Sequence, residues 1–456
     1  MPNVKAPSPK GGHTAFLMHP RDPRIFVFGG ADGDRFLSEF YSLNTSTVKW
    51  QSAHTYYPPR ARAYHSLAIV APEQKKLARG AVPVVVVYGG FNRGDCLSDL
   101  PVLEEWGVLK RGPNPPAKLE VPAHLKATDP PPGLEEDIWG TVLPQGEVPV
   151  GRCNHSCAVM NGGRRMVVFG GWNTAFVDHV YVLDTQVWRW ALRSTIPSRL
   201  GGSPDARASA ASCTVSRGRQ MLIHGGQDRY GQRDDLWLLD LDTFAWLRVR
   251  QKGRVPAARS GHTLTYLPEH ELVVMFGGWT ANGSMSNEVH IASVVAEPEE
   301  EGWRWHQVRV GGDSIKARAG HSATLVGDAI WIIGGVTASG AATDDVFTLQ
   351  TGFARFTFDY VDPEERRAEL AAQQADLEAA EAEEEDEADA RTAALSRRVE
   401  TNRLVAQKQA NERKAREMQL KEQELHILTR KVMGEPPPQR RNAARRTAPC
   451  AVRPSP

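Results

Sequence analysis

Six short runs of aliphatic, β-branched and aromatic residues punctuate the first 360 residues: IFVF, VVVVY, MVVF, MLIH, LVVMF and IWII. Each ends in a glycine pair: Gly29-Gly30, Gly89-Gly90, Gly170-Gly171, Gly225-Gly226, Gly277-Gly278 and Gly334-Gly335. An apolar run this short, bounded by diglycine, predicts a buried strand whose end needs positive φ or close backbone approach. Successive pairs lie 52–81 residues apart, which fits a base period of about 50 residues with insertions.

Other columns keep register with the glycines. Upstream, a strand opens with His and a hydroxyl residue: His13-Thr14, His65-Ser66, His155-Ser156, His262-Thr263 and His321-Ser322. Three residues before these histidines stand Lys10, Arg62, Arg152, Arg259 and Arg318. The fourth copy keeps Arg207 but has Ala210 and Ala211 where the histidine is expected. Downstream come an acidic or polar residue and a third strand: EFYSLN, DLPVLE, HVYVLD, DLWLLD, EVHIA and DVFTL. A last aromatic strand follows, marked by Trp50, Trp139, Trp190, Trp246, Trp305 and Phe356. Trp139 is assigned because it precedes Arg152 by the same interval that separates Trp246 from Arg259 and Trp305 from Arg318.

In these columns residues 11–361 resemble the kelch-repeat family. The resemblance implies an all-β, six-bladed kelch β-propeller in which each blade is a four-stranded antiparallel sheet. The implied order is His strand, diglycine strand, aromatic strand, Trp strand. One such blade cannot bury both faces alone, and radial stacking buries them. The copies begin and end in phase, so the first and sixth blades are expected to close the ring by packing face to face, with little help from Val4 to Pro7.

Two stretches leave the pattern. Residues 107–137 carry seven prolines without apolar periodicity, which predicts a long irregular insertion. Residues 362–433 are rich in Ala, Glu, Gln, Lys, Arg and Leu and lack internal Gly, predicting a long α-helical (coiled-coil) C-terminal extension. A seven-spaced row runs Leu404, Asn411, Met418, Leu425, Val432. The acidic half before it and its own basic character favour antiparallel self-association or a partner helix. Residues 434–456 are Pro- and Arg-rich and read as a disordered tail, and residues 1–10 as an N-terminal segment.

Charge changes little in this picture. Lys+Arg number 55 and Asp+Glu 54, so the chain is not globally basic, and nucleic acid is not the expected partner. No apolar stretch is long enough to span a membrane. Met1 to Lys10 has no apolar signal-peptide core, and the five cysteines are too few for a disulfide scaffold. The expected setting is intracellular and cytoplasmic, with a cytoskeletal or ciliary association in keeping with the resemblance.

Candidate chemistry is sparse. Cys153, His155 and Cys157 alternate on one strand, but such ligands splay by about 6.5–7 Å per step, too far to share one ion. Their repeat columns are small or core residues, so no metal site is assigned. Nucleotide, phosphate, zinc-hydrolase and serine-hydrolase motifs are missing, and no cofactor or enzymatic activity is expected. The histidine column reads as a repeated structural hydrogen bond. The arginine column carries two readings: bridges between neighbouring blades, or a ring at one channel mouth.

On the second reading, Arg62, Arg152, Arg207, Arg259 and Arg318 join the post-diglycine aromatics Phe91, Trp172 and Trp279 as a partner-binding set. Arginines grip carboxylates bidentately and aromatics are common hot spots, so the expected ligand is an acidic or C-terminal peptide segment. The resemblance implies a non-catalytic interaction scaffold or adaptor, the layout also being similar to kelch proteins that act as Rab effectors. The alternative is a substrate receptor of a cullin-RING ubiquitin ligase. Some kelch receptors bind peptide C-termini between arginine and tryptophan, parts that Trp172, Trp279, Arg207 and Arg259 would fill.

Overall fold

The computed structural model describes residues 6–19, 22–53, 55, 58–70, 84–105, 137–160, 163–294, 302–351, 357–360 and 407–425. The chain divides into two units, Met1–Leu370 and Ala371–Pro456. The first is a six-bladed β-propeller.

Blade 1 comprises Thr14–Leu17, Arg24–Phe28, Phe40–Asn44 and Lys49–Ser52. Blade 2 comprises Ser66–Val70, Val84–Tyr88, Leu100–Glu105 and Asp137–Val142. Blade 3 is Ser156–Val159, Arg165–Phe169, Val180–Asp184 and Arg189–Arg193, and blade 4 is Ala211–Val215, Gln220–His224, Leu236–Asp240 and Trp246–Arg248. Blade 5 is Thr263–Leu267, Leu272–Phe276, Val289–Ser293 and Trp303–Val308. Blade 6 is Ser322–Val326, Ala329–Ile333, Val346–Gln350 and Thr357–Tyr360. In every blade the strands pair antiparallel in chain order, as the columns predict. Trp139 sits opposite Leu103 on the outer strand of blade 2, in the place its spacing assigns. Asp137 opens that strand, so it belongs to the blade and not to the insertion. The rest of the 107–137 insertion and Phe356 lie outside the described residues.

Packing explains why one blade could not stand alone. Among the described residues the apolar core forms six clusters, and each lies between two neighbouring blades. The outer-strand tryptophan reaches back to the residue that ends the preceding blade's diglycine strand. Trp139 packs on Phe28, Trp190 on Tyr88, Trp246 on Phe169 and Trp305 on His224, with ring centroids 5.0–5.7 Å apart. Burying one such side chain stabilises the fold by about 1.5–3 kcal/mol, so each of these four interfaces rests on its own anchor.

The chain also ties blades along their outer edges. Gln145–Gly146, leaving blade 2, pairs parallel with Arg189–Trp190 of blade 3. Gln251–Gly253 does the same on blade 5, and Gly311–Gly312 on blade 6. The ring closes as expected, by face-to-face packing of Trp331, Ile333 and Val346 of blade 6 on Ile25, Val27, Leu43 and Trp50 of blade 1.

The diglycine has a steric cause, clear at Gly89-Gly90. A Cβ on Gly89 would come 2.5 Å from the Arg152 carbonyl oxygen of the next blade. One on Gly90 would come 2.9 Å from the His65 Cβ of its own blade. Both residues have positive φ, at 67° and 102°, so neither contact nor conformation admits a side chain.

In the second unit, residues 407–425 form a helix with every residue exposed, including Met418 and Leu425 of the seven-spaced row. The remainder of the expected 362–433 helix and the 434–456 tail lie outside the described residues.

Candidate functional site

The arginine column makes an inner framework. Each arginine's main chain bonds the preceding blade and its side chain bonds its own blade. The Arg62 carbonyl accepts from Gly30 N–H of blade 1, while its guanidinium donates to the Gly89 carbonyl and to Asp99 of blade 2. Arg207 links blade 3 to Gly225 and Asp235 of blade 4 in the same way. Arg259 pairs with Glu288, and Arg318 with Asp345. Lys10 takes the part at the closing seam, where its carbonyl accepts from Gly335 of blade 6 and its ammonium meets Glu39 of blade 1 at 2.8 Å. Blade 3 differs: Arg152 keeps the Gly170 carbonyl but lies over the Tyr181 ring, 5.1 Å from its centroid. Burial pushes the Asp235 carboxyl up, yet the Arg207 hydrogen bonds and charge outweigh it and hold the group below the usual range.

Beside this framework lies a layer of imidazoles, each bonded to the hydroxyl of the preceding blade. His13 meets Ser322, His65 meets Thr14, His155 meets Ser66 and His321 meets Thr263, at 2.7–3.0 Å. Blade 4 has neither histidine nor hydroxyl at these columns. His262 of blade 5 turns to His224 Nδ1 at 3.0 Å in place of the missing hydroxyl. Burial, reinforced by the neighbouring cations, lowers the imidazoles of His13, His155 and His321 to about 3, and burial above all lowers His224 to about 3. They are neutral packing residues at physiological pH.

One step toward the axis, six residues surround the channel mouth: Gly12, Tyr64, Asn154, Ser209, Gly261 and Gly320. All have left-handed φ between 55° and 65°. Each N–H donates to the carbonyl of the equivalent residue in the preceding blade, and Gly12 donates to Gly320, so the hydrogen bonds form a closed cycle of 2.6–2.9 Å links. The cycle is six-fold in its backbone and lopsided in its side chains. Tyr64, Asn154 and Ser209 occupy one half, and the Tyr64 ring covers Gly12, where a Cβ would come 2.6 Å from Cε1. On the glycine half the floor is bare backbone, bordered by Trp279, Met285 and Val336. The result is a depression of about 380 Å³. Trp279, 39% exposed, stands at its rim.

Residues 133–335 match the KLHDC2/KLHL20/DRC7 Kelch-repeats domain. Over that span the ring matches a kelch-repeat propeller. The chain is 31% identical over 219 residues to an F-box/kelch-repeat protein of Arabidopsis thaliana, covering 44% of each chain. It is 37% identical over 112 residues to Kelch domain-containing protein 2 of Bos taurus, a quarter of each chain. It is 28% identical over 216 residues to the Rab9 effector protein with kelch motifs of Gallus gallus, covering 46% of this chain and 54% of that one. The chain spans at most about half the length of these curated relatives. Kelch propellers generally mediate protein–protein interaction.

Within the propeller the expected binding set separates. Arg62, Arg152, Arg207, Arg259 and Arg318 are at most 1% exposed and bonded within the wall. The expectation that they grip a ligand is corrected: their donors face blade carbonyls and carboxylates, and the bridging reading describes them. The aromatics lie on the mouth side. Trp279 lines the depression, Phe91 is half-buried against Phe36, and half-buried Trp172 is bridged to Cys153. Cys153, His155 and Cys157 do not converge. Cys153 faces Cys96, His155 bonds Ser66, and Cys157 packs between blades 2 and 3.

Two features escaped the sequence columns. The mouth ring is the position just before each histidine, a column that could have been read but shares no residue type. Tyr230, on the blade 4 hairpin, is 73% exposed with Arg229 and Arg233 over its ring at 4.7 and 5.7 Å.

Proposed function

We propose that this protein is a non-catalytic interaction scaffold whose partner docks on the channel mouth. The observation that carries the reading is the lopsided mouth: a rigid hydrogen-bonded floor with bare glycine on one half, bordered by an exposed tryptophan. A preorganised floor costs little ordering on binding, and an exposed tryptophan at a concave rim offers apolar area with few rotamers to lose. The partner chemistry is a peptide segment that puts an apolar or aromatic side chain over Gly261 and Gly320, flanked by acidic residues toward Arg229. The second unit tethers or oligomerises the propeller through its seven-spaced row.

The test is proximity labelling in cells with the full-length protein and with Trp279→Ala. A docked partner is lost from the variant, and its affinity for purified protein falls by about 2 kcal/mol. Identical labelling with unchanged affinity would move the site off the mouth. The same experiment places the protein in a compartment, cytoplasmic on this reading.

A second reading, a cullin-RING substrate receptor, is favoured by one observation: a tryptophan directly after a diglycine stands at the mouth. It rests on the likeness to the F-box/kelch-repeat protein and to Kelch domain-containing protein 2. Co-purification of cullin and its adaptor with the full-length chain supports it, and their absence under conditions that retain the mouth partner removes it.

A further inference from the structure

We propose that Cys96 and Cys153 are a dithiol that closes reversibly to a disulfide, stapling the mouth hairpin of blade 2 to the segment that leads into blade 3. The two sulfurs lie 3.8 Å apart. Both also face the Trp172 carbonyl oxygen, at 3.4 Å from Cys96 and 3.8 Å from Cys153. They arrive from separate parts of the fold. Cys96 ends the short hairpin Phe91–Asn92/Asp95–Cys96. Cys153 stands between Arg152 of the wall and Asn154 of the mouth ring.

Repeat symmetry does not require this pair. The column of Cys96 reads Phe36, Cys96, Phe176, Gln232, Met285 and Ala342. The column of Cys153 reads Gly11, Ala63, Cys153, Ala208, Ser260 and Ala319. At one of six junctions, sulfur faces sulfur. Rotation about the two Cα–Cβ bonds needs to bring the atoms from contact to a bond length of about 2.0 Å. Cys157 and Cys213 pack instead in two other places, between blades 2 and 3 and between blades 4 and 5.

The oxidant is a low-molecular-weight disulfide, represented by glutathione disulfide. The Cys96 thiolate, the more exposed of the pair, attacks one glutathione sulfur, forming a mixed disulfide and releasing one glutathione thiolate. The Cys153 thiolate then attacks the Cys96 sulfur, forming the Cys96–Cys153 bond and releasing the second glutathione. Two thiols of the protein are oxidised by two electrons, one glutathione disulfide is reduced, and the two protons go to the glutathione thiolates. Burial raises both thiol pKa values, that of Cys153 to about 12, so exchange is slow at neutral pH and quickens as pH rises. The bond fixes the hairpin of Phe91 to the residue bridged to Trp172, locking that sector of the mouth.

The test uses the full-length free protein, so it stands apart from any partner. It is equilibrated with glutathione disulfide, then trapped by alkylation and digested. The expected result is a peptide linking Cys96 to Cys153, removed by dithiothreitol, together with a raised Tm, because the link constrains the unfolded chain. Cys153→Ser should stop at a glutathione adduct on Cys96 and show no rise in Tm. Wild-type protein that carries glutathione on Cys96 without the linked peptide, or that forms the link only in urea, overturns the proposal.

Discussion

The arginine framework and the mouth ring are neighbours along the chain, two residues apart in every blade, and they obey opposite rules. In the framework a buried cation repeats in all six blades, and every copy but Arg152 meets a carboxylate. In the mouth ring only the backbone repeats, and the side chains run from glycine to tyrosine. A buried guanidinium needs its partners met in its own blade, because leaving a buried charge unpaired costs several kcal/mol. A residue on the axis faces solvent, so its side chain is free to differ once φ is set. Residues fixed by the ring build it, and residues released by it are available for recognition.

The largest expected effect tests the buried layer as a whole. Histidine ordinarily titrates near 6.5, and here His13, His155, His224 and His321 stay neutral down to about 3, with His65 and His262 also well below their usual value. Between those limits the unfolded chain binds more protons than the fold, so stability rises with pH and is lost as pH falls through 6.5. Each such histidine contributes up to about 1.4 kcal/mol per pH unit. Glu39, Asp235 and Glu288, whose cation partners lower their carboxyls, lose their contribution only nearer about pH 4, so the interval from about 6.5 to 5 belongs to the imidazoles. Urea midpoints should fall steeply over that interval. A flat profile would mean that the imidazoles charge within the fold.

Next comes a single arginine. Arg207→Ala leaves the Gly225 carbonyl without its donor and the Asp235 carboxylate without its cation, with Trp237 Nε1 its remaining donor, and should cost about 3–5 kcal/mol. Arg152→Ala should cost less, about 1–3 kcal/mol, because it strands a carbonyl and no carboxylate. Guanidinium chloride midpoints of the two variants measure the difference. Equal losses would show that packing of the stem, and not the ion pair, holds the framework.

Much of this was legible beforehand for a physical reason. The strands, their order within a blade and the place of Trp139 follow from apolar runs and spacing, because the interfaces they build are six copies of one packing problem. The arginine and acidic columns were also visible. Their pairing was not, since it depends on which side of a turn each side chain takes, and the chemistry of arginine fits a ligand carboxylate as well as an internal one. The mouth ring was illegible because Gly12, Tyr64, Asn154, Ser209, Gly261 and Gly320 share a dihedral angle and no side chain.

A smaller effect repairs the one gap in the imidazole layer. At the junction of blades 3 and 4, Ser156 Oγ donates to the Ala210 carbonyl at 3.2 Å, with no imidazole to receive it. A Cβ on Gly170 would meet no histidine, whereas one on Gly29, Gly89 or Gly277 would meet the Cε1 of the next blade's histidine within 3 Å. Ala210→His should therefore seat an imidazole on Ser156 and stabilise the propeller by about 1 kcal/mol, the worth of one buried hydrogen bond. A fall in the denaturation midpoint would show that Phe169 and Trp246 have already closed the space.

The smallest effect on the fold is expected in the mouth ring. Ser209 and Tyr64 hold φ of 55° and 58°, a conformation that costs a residue with a Cβ about 1–2 kcal/mol and glycine almost nothing. Glycine also gives the unfolded chain more freedom, which offsets about 0.5–1 kcal/mol of that relief. Ser209→Gly should leave stability unchanged or slightly raised, and the backbone cycle should survive because it uses no side-chain atom. Tyr64→Gly should gain the same relief and lose the contact with Gly12, for a net change near zero. Differential scanning calorimetry measures the stability of both, and binding assays with the mouth partner measure their function. Stability held while affinity falls would mean that strained side chains are kept at the mouth for recognition. A marked loss of stability in Ser209→Gly would place that hydroxyl in the structural framework and erase the distinction between the two layers at that blade.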